Sequence, residues 1–137
     1  MIVLGEVFFQ ELINYAKLHS PKECCGYFFG FRDTSNNQNI VKQIFKMNNI
    51  HENPKDFFMF SPQEQLDALI KCKKENLEII GIFHSHPHSK AYPSNEDMKY
   101  IYDHRHSYTI ISLLEKIPQV KSFRIKETEI CEETIKI

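Results

Sequence analysis

The chain has 137 residues, 42% hydrophobic and 26% charged, an ordinary globular balance that excludes disorder. That length fits one domain over residues 1–137, able to bury roughly two thirds of its unfolded surface without staples. A formal net charge of -1 gives no electrostatic footprint for nucleic acid, and no apolar run approaches the length of a membrane span.

Phe8, Leu12 and Ala16, with Phe9 and Ile13 beside them, recur at helical spacing from about Glu6 to His19, and Ser20-Pro21 ends that helix. Glu23 to Phe31, rich in Cys, Tyr and Phe, reads as a buried strand. Asp33 to Asn39 is turn chemistry, and Ile40 to Met47 reads as the returning strand of a hairpin. Asn48 to Asp56 is polar and holds Pro54, so it reads as a surface loop, either a substrate contact or a plain connector, leading to the apolar Phe57 to Phe60. Ser61-Pro62-Gln63-Glu64 combines a capping box with Pro at the first helical position. The helix it opens should run to about Asn76 with Leu66, Leu69 and Ile70 on one face. Leu77 to Phe83 is a strand, His88 to Pro93 a loop, and Ser94 to about Asp103 a third helix with Met98, Ile101 and Tyr102 suitably spaced. Tyr108 to Leu114, Val120 to Ile125 and Glu129 to Ile137 read as further strands. Interleaved strands and helices imply an α/β layered domain with a mixed sheet and about three helices.

The chemistry concentrates where the strand from Leu77 runs into His84-Ser85-His86-Pro87. Two residues apart on a strand, both imidazoles point to one face. Asp97 supplies a third candidate ligand, and three protein ligands leave a tetrahedral zinc ion with one open position, a catalytic rather than a structural layout. Ser94 to Asp97 also reads as a helix start, with Ser94 as N-cap. His104 and His106 repeat the His-x-His spacing, but no carboxylate follows until Glu115 and Arg105 sits between them. That pair reads as surface residues.

Glu23, just ahead of its apolar strand, completes a pattern: Glu23, then His84-Ser85-His86, seven residues beginning with Pro87, Ser94, two residues, Asp97. In this the chain resembles the JAMM (MPN+) metallopeptidase family, and the resemblance extends to the order of elements over nearly the whole chain. It implies a cytidine-deaminase-like layered sandwich. It also implies that His84, His86 and Asp97 bind Zn2+, that Glu23 is a general base and not a ligand, and that Ser94 donates to the developing oxyanion while capping its helix. The partner implied is a ubiquitin-like sulfur-carrier protein with a Gly-Gly tail, trimmed at that end or relieved of an attached amino acid, as in cysteine or homocysteine synthesis. An isopeptidase acting on protein conjugates is the alternative within the class. A non-catalytic MPN-type scaffold would be expected to have lost a ligand, and a base deaminase would need His-x-Glu and Pro-Cys-x-x-Cys, which are absent.

The remaining signals are modest. Met1 to Glu6 lacks a basic segment followed by a long apolar stretch, so no secretory signal is expected and the cytoplasm is the expected compartment. Cys24, Cys25, Cys72 and Cys131 lack Cys-x-x-Cys spacing and read as reduced thiols, Cys24 as strand packing or else a redox-sensitive or weakly metal-contacting neighbour of Glu23. His88 reads as a solvated loop histidine, with a second metal or a substrate contact as the alternative. Tyr92 reads as a residue at the mouth of the groove with no catalytic role.

Overall fold

In the computed structural model, which describes all 137 residues, a mixed eight-stranded sheet carries one helix on each face. The strands are β1 (Ile2–Val3), β2 (Cys25–Asp33), β3 (Gln38–Met47), β4 (Glu78–His86), β5 (Ser107–Ser112), β6 (Gln119–Lys126), β7 (Glu129–Glu133) and β8 (Ile135–Lys136). Their order is β7-β6-β5-β4-β2-β3-β1-β8. The β4–β5, β1–β3 and β1–β8 pairs are parallel and the rest antiparallel. Alternation along β2 divides the core: Cys25, Tyr27 and Phe29 face one cluster, while Phe28 and the preceding Cys24 face the other.

Helix α1 (Glu6–His19) covers the second cluster with Leu12, Ile13 and Ala16, on the stripe its periodicity predicts. It stops at Ser20, whose ψ of 135° is the extended conformation forced on a residue before proline. Helix α2 (Pro62–Lys74) covers the first cluster. Its N-terminus is capped as expected, since Ser61 Oγ accepts from Glu64 N at 3.0 Å. Its C-terminus is a Schellman motif: Asn76 takes a φ of 57°, Asn76 N donates to Lys73 O and Leu77 N to Cys72 O.

Four expectations are corrected. Helix α2 buries Ala68 and Cys72, while Leu66, Leu69 and Ile70 are more than half exposed. Small side chains form the face that lies on the sheet. The third helix is a single 3-10 turn at Asp97–Tyr100, giving two α-helices rather than three. Asp97 is tethered by its side chain, and Lys99 N and Ile101 N bond to carbonyls three residues back before the chain extends at Ile101. The segment from Glu129 is two strands split at Thr134, one on each end of the sheet. A single residue links them, so the sheet must curl until its ends nearly meet. Finally, His106 is only half-exposed, with Nδ1 accepting from Arg32 Nη2 at 2.8 Å, whereas His104 is exposed as expected. No helix is long and apolar enough to cross a membrane.

Candidate metal centre

Strand β4 runs on past Phe83 through His86. Ile82, His84 and His86 therefore share the face of α2, and Ser85 points to the opposite face. There Ser85 staples the start of β2: Cys24 N donates to Ser85 Oγ at 2.8 Å and Ser85 N to Cys24 O at 3.0 Å. That pairing delivers Glu23, one residue earlier, beside the histidines. After Pro87 the loop folds back under His86, and Ser112 Oγ holds it by donating to Ser89 O at 2.6 Å.

Asp97 returns on the turn that follows. Ser94 Oγ accepts from Asp97 N at 3.1 Å and Asp97 Oδ2 accepts from Ser94 N at 2.8 Å, a reciprocal box that aims the carboxylate. Asp97 Oδ2 lies 3.0 Å from both His84 Nε2 and His86 Nε2, which are themselves 3.0 Å apart. Glu23 joins them, with one donor atom from each of the four residues within 4.8 Å of the others. All four are buried. Phe58 stacks on the His84 ring at 4.5 Å and on Tyr100 at 4.8 Å, walling one side. Ser94, His88 and Tyr92 are exposed, and the Tyr92 ring packs edge-on against Phe123.

The electrostatics suit a cation. Burial pushes the Glu23 carboxyl up to about 8, with His86 opposing and Asp97 assisting. For Asp97, burial works upward too, but the His84 and His86 imidazoles and the Ser94 N–H outweigh it and hold the carboxyl well below the usual range. Burial lowers His84, with Asp97 opposing. His86 is also pushed down by burial, but Asp97 and the Lys90 carbonyl raise it overall. His86 Nδ1 donates to Lys90 O at 2.8 Å, so Nε2, which faces Asp97, is the nitrogen that would give up its proton to a metal. Two imidazole nitrogens and an ionised oxygen then converge on one point. The unpartnered, buried Glu23 Oε1 beside them is a further acceptor. Such a donor set fits zinc with His84, His86 and Asp97 as ligands.

Glu23, His84, His86 and Asp97 meet here, with Ser94 bonded to Asp97, whereas Cys24 is a packing residue: it is buried in the second cluster and burial pushes its thiol up to about 11. All four cysteines are free. Phe58 and Asn49, whose side chain binds Glu23 O at 3.0 Å, were not anticipated. The largest surface hollow lies elsewhere, along α1 beside Val7, Tyr15 and Leu18. The donor set, not concavity, identifies the site.

Residues 6–126 match the family model described as prokaryotic homologs of the JAB domain. The chain belongs to this family. It is 38% identical over 80 residues to a desampylase from Pyrococcus furiosus, covering 58% of this chain and 52% of that protein. To a probable TtuB-protein conjugate cleaving protease from Thermus thermophilus it is 32% identical over 80 residues, covering 58% and 49%. These two matches span about half of each relative's length. A CysO-cysteine peptidase from Mycobacterium tuberculosis is 22% identical over 138 residues, covering 100% of this JAB-family chain and 91% of the relative. Among solved structures, a protein from Desulfitobacterium hafniense determined in solution superposes with a TM-score of 0.86 at 38% identity, covering 98% and 91%. A JAB1/MPN domain protein from Archaeoglobus fulgidus shares the fold, with a TM-score of 0.58 at 17% identity over 99% and 98%.

Proposed function

We propose that this chain is a zinc-dependent peptidase that hydrolyses the bond after the C-terminal Gly-Gly of a ubiquitin-like sulfur-carrier protein. It trims that tail or releases an attached amino acid. The observation that carries the proposal is the triangle of His84 Nε2, His86 Nε2 and Asp97 Oδ2 with the unpartnered Glu23 carboxylate beside it. The end-to-end likeness to a CysO-cysteine peptidase supports the substrate class. A glycine tail suits a narrow site because it can lie extended and bond through its main chain.

His84, His86 and Asp97 would hold zinc, which when bound would supply Lewis acidity and lower the pKa of a water from ~15.7 towards ~7. Glu23 takes the proton of the attacking water and passes it to the leaving amine. Its burial favours uptake of that proton, while the His86 imidazole, and a dication beside it, would favour its release. Ser94 accepts from Asp97 N through its oxygen, which leaves its hydroxyl proton for the developing oxyanion. Removal of one such donor costs about 2.7–4 kcal/mol in other enzymes. Phe58 excludes water from the His84 side.

Cleavage of isopeptide conjugates is the second reading, favoured by the names of the desampylase and TtuB-conjugate relatives. The deaminase-like layering implied by the resemblance belongs to this proposal, as does a cytoplasmic setting. The test is intact mass. Small ubiquitin-like proteins ending in Gly-Gly plus one to three residues are incubated with the zinc-loaded enzyme and with Glu23→Gln. Mass lost just after Gly-Gly, and only with the unaltered enzyme, is the expected result. Cleavage confined to lysine-linked conjugates selects the second reading, and equal cleavage by Glu23→Gln removes both.

A further inference from the structure

Glu23 lies outside the sheet ladder. Cys24 is bonded to Ser85, and the pairing of β2 with β3 and β4 begins only at Cys25. Both backbone groups of Glu23 are instead held by the loop after β3: Glu23 N donates to Pro54 O at 2.7 Å, and Glu23 O accepts from Asn49 Nδ2 at 3.0 Å. The same amide donates to Phe57 O at 2.9 Å and approaches Pro54 O at 3.4 Å. Its Oδ1 accepts from His51 N and Met59 N, both at 3.1 Å. One side chain therefore uses its full donor and acceptor capacity. It clips both ends of the loop, backed by Ile50 N to Met59 O at 3.0 Å, and ties the loop to the residue carrying the candidate base. Between the Phe57 and Met59 attachments lies Phe58, the ring on His84.

We propose that Asn49 is a positioning residue that fixes the Glu23 carboxylate, and Phe58 with it, over the metal centre. The role of Glu23 as base rests on the peptidase reading, but its placement by Asn49 does not. Only an amide serves: three carbonyls surround Nδ2 while two N–H groups point at Oδ1. An aspartate in the same shape keeps the second set and sets a carboxylate oxygen against the first. Asn49 touches none of the four clustered side-chain groups, so it acts through the Glu23 backbone and the loop.

The test compares Asn49→Asp with the unaltered protein and with Glu23→Gln. Amide hydrogen exchange, read by mass spectrometry on peptides or by NMR, should quicken by about tenfold or more at Glu23 and within Asn53–Met59 in Asn49→Asp, with the β4 amides unchanged. Zinc content should stay equal to that of the unaltered protein. With a carrier found by the mass assay above as substrate, kcat should fall about 10- to 100-fold with KM within about twofold, as for a displaced catalytic group. Unchanged exchange at Glu23 overturns the proposal whatever the activity. So does a collapse of zinc content or β4 protection, which would make Asn49 a general structural residue. If Glu23→Gln keeps full turnover, the peptidase role of Glu23 fails, yet the exchange result still decides whether Asn49 places it.

Discussion

Glu23 and Asp97 are both buried carboxylates in one donor cluster, yet their surroundings separate them. Asp97 accepts from the Ser94 N–H and faces two imidazoles, which keep it ionised. Glu23 Oε1 has no hydrogen-bond partner, and burial pushes its carboxyl up to about 8. One is built as a permanent anion, the other as a group that exchanges a proton. Glu23→Gln should accordingly retain zinc at about the level of the unaltered protein and lose turnover, whereas Asp97→Ala should lose the metal. Elemental analysis after gel filtration reads the difference, and equal metal loss in both variants would make Glu23 a ligand. His84, His86, Ser94 and Asp97 were legible because strand and capping geometry act over a few residues. Glu23 was legible only through the family pattern, since 61 residues separate its neighbour Cys24 from the Ser85 that holds it. Asn49 carries no pattern at all, because its partners are backbone groups that any sequence offers.

At the level of elements, the buried stripe of α1 and the Ser61 cap were legible, but the buried face of α2 and the length of the third helix were not. The Ser61 cap follows from side chains within one turn, and the end of α1 from Pro21. The capping box of α2 is nonetheless only half formed: Glu64 Oε1 turns away to accept from Asn48 N at 3.0 Å, tying the helix to the loop that Asn49 organises. Which face α2 buries depends on how closely it approaches the sheet, and bulk alone pointed to Leu66, Leu69 and Ile70. With Ala68 at 0% exposure and Leu69 at 58%, Leu69→Gln should shift stability by no more than about 0.5 kcal/mol. Ala68→Leu should cost about 1–3 kcal/mol by overpacking. Urea denaturation decides, and a larger loss for Leu69→Gln would mean that this face is covered in solution.

Across the whole molecule, the end of the sheet away from the metal centre is held by polar side chains, and this is where a pH response belongs. Arg32, with a side chain 10% exposed, donates to Asn39 Oδ1, Ile79 O, Arg105 O and His106 Nδ1, joining β2, β3, β4 and the approach to β5. A guanidinium only donates, so His106 must meet it as a neutral acceptor. Burial, followed by the Arg32 charge, pushes His106 down to about 4, with Asp103 opposing and Arg105 assisting. In the unfolded chain the imidazole titrates near ~6.5. Between those values the unfolded state binds more protons than the folded one, so stability rises with pH across that window. It is fully present above about 6.5, falls as the pH drops, and levels off near 4, a change of at most about 3 kcal/mol. His106→Gln keeps an acceptor for Arg32 without a titrating group. Carboxylates elsewhere titrate in both proteins, so the informative quantity is the difference between their Tm profiles. That difference should narrow or change sign as pH falls from 7 to 4, because only the unaltered chain loses stability at this position. Parallel profiles would mean that His106 is free to take up its proton in the folded state, and that Arg32 does not hold this corner through it.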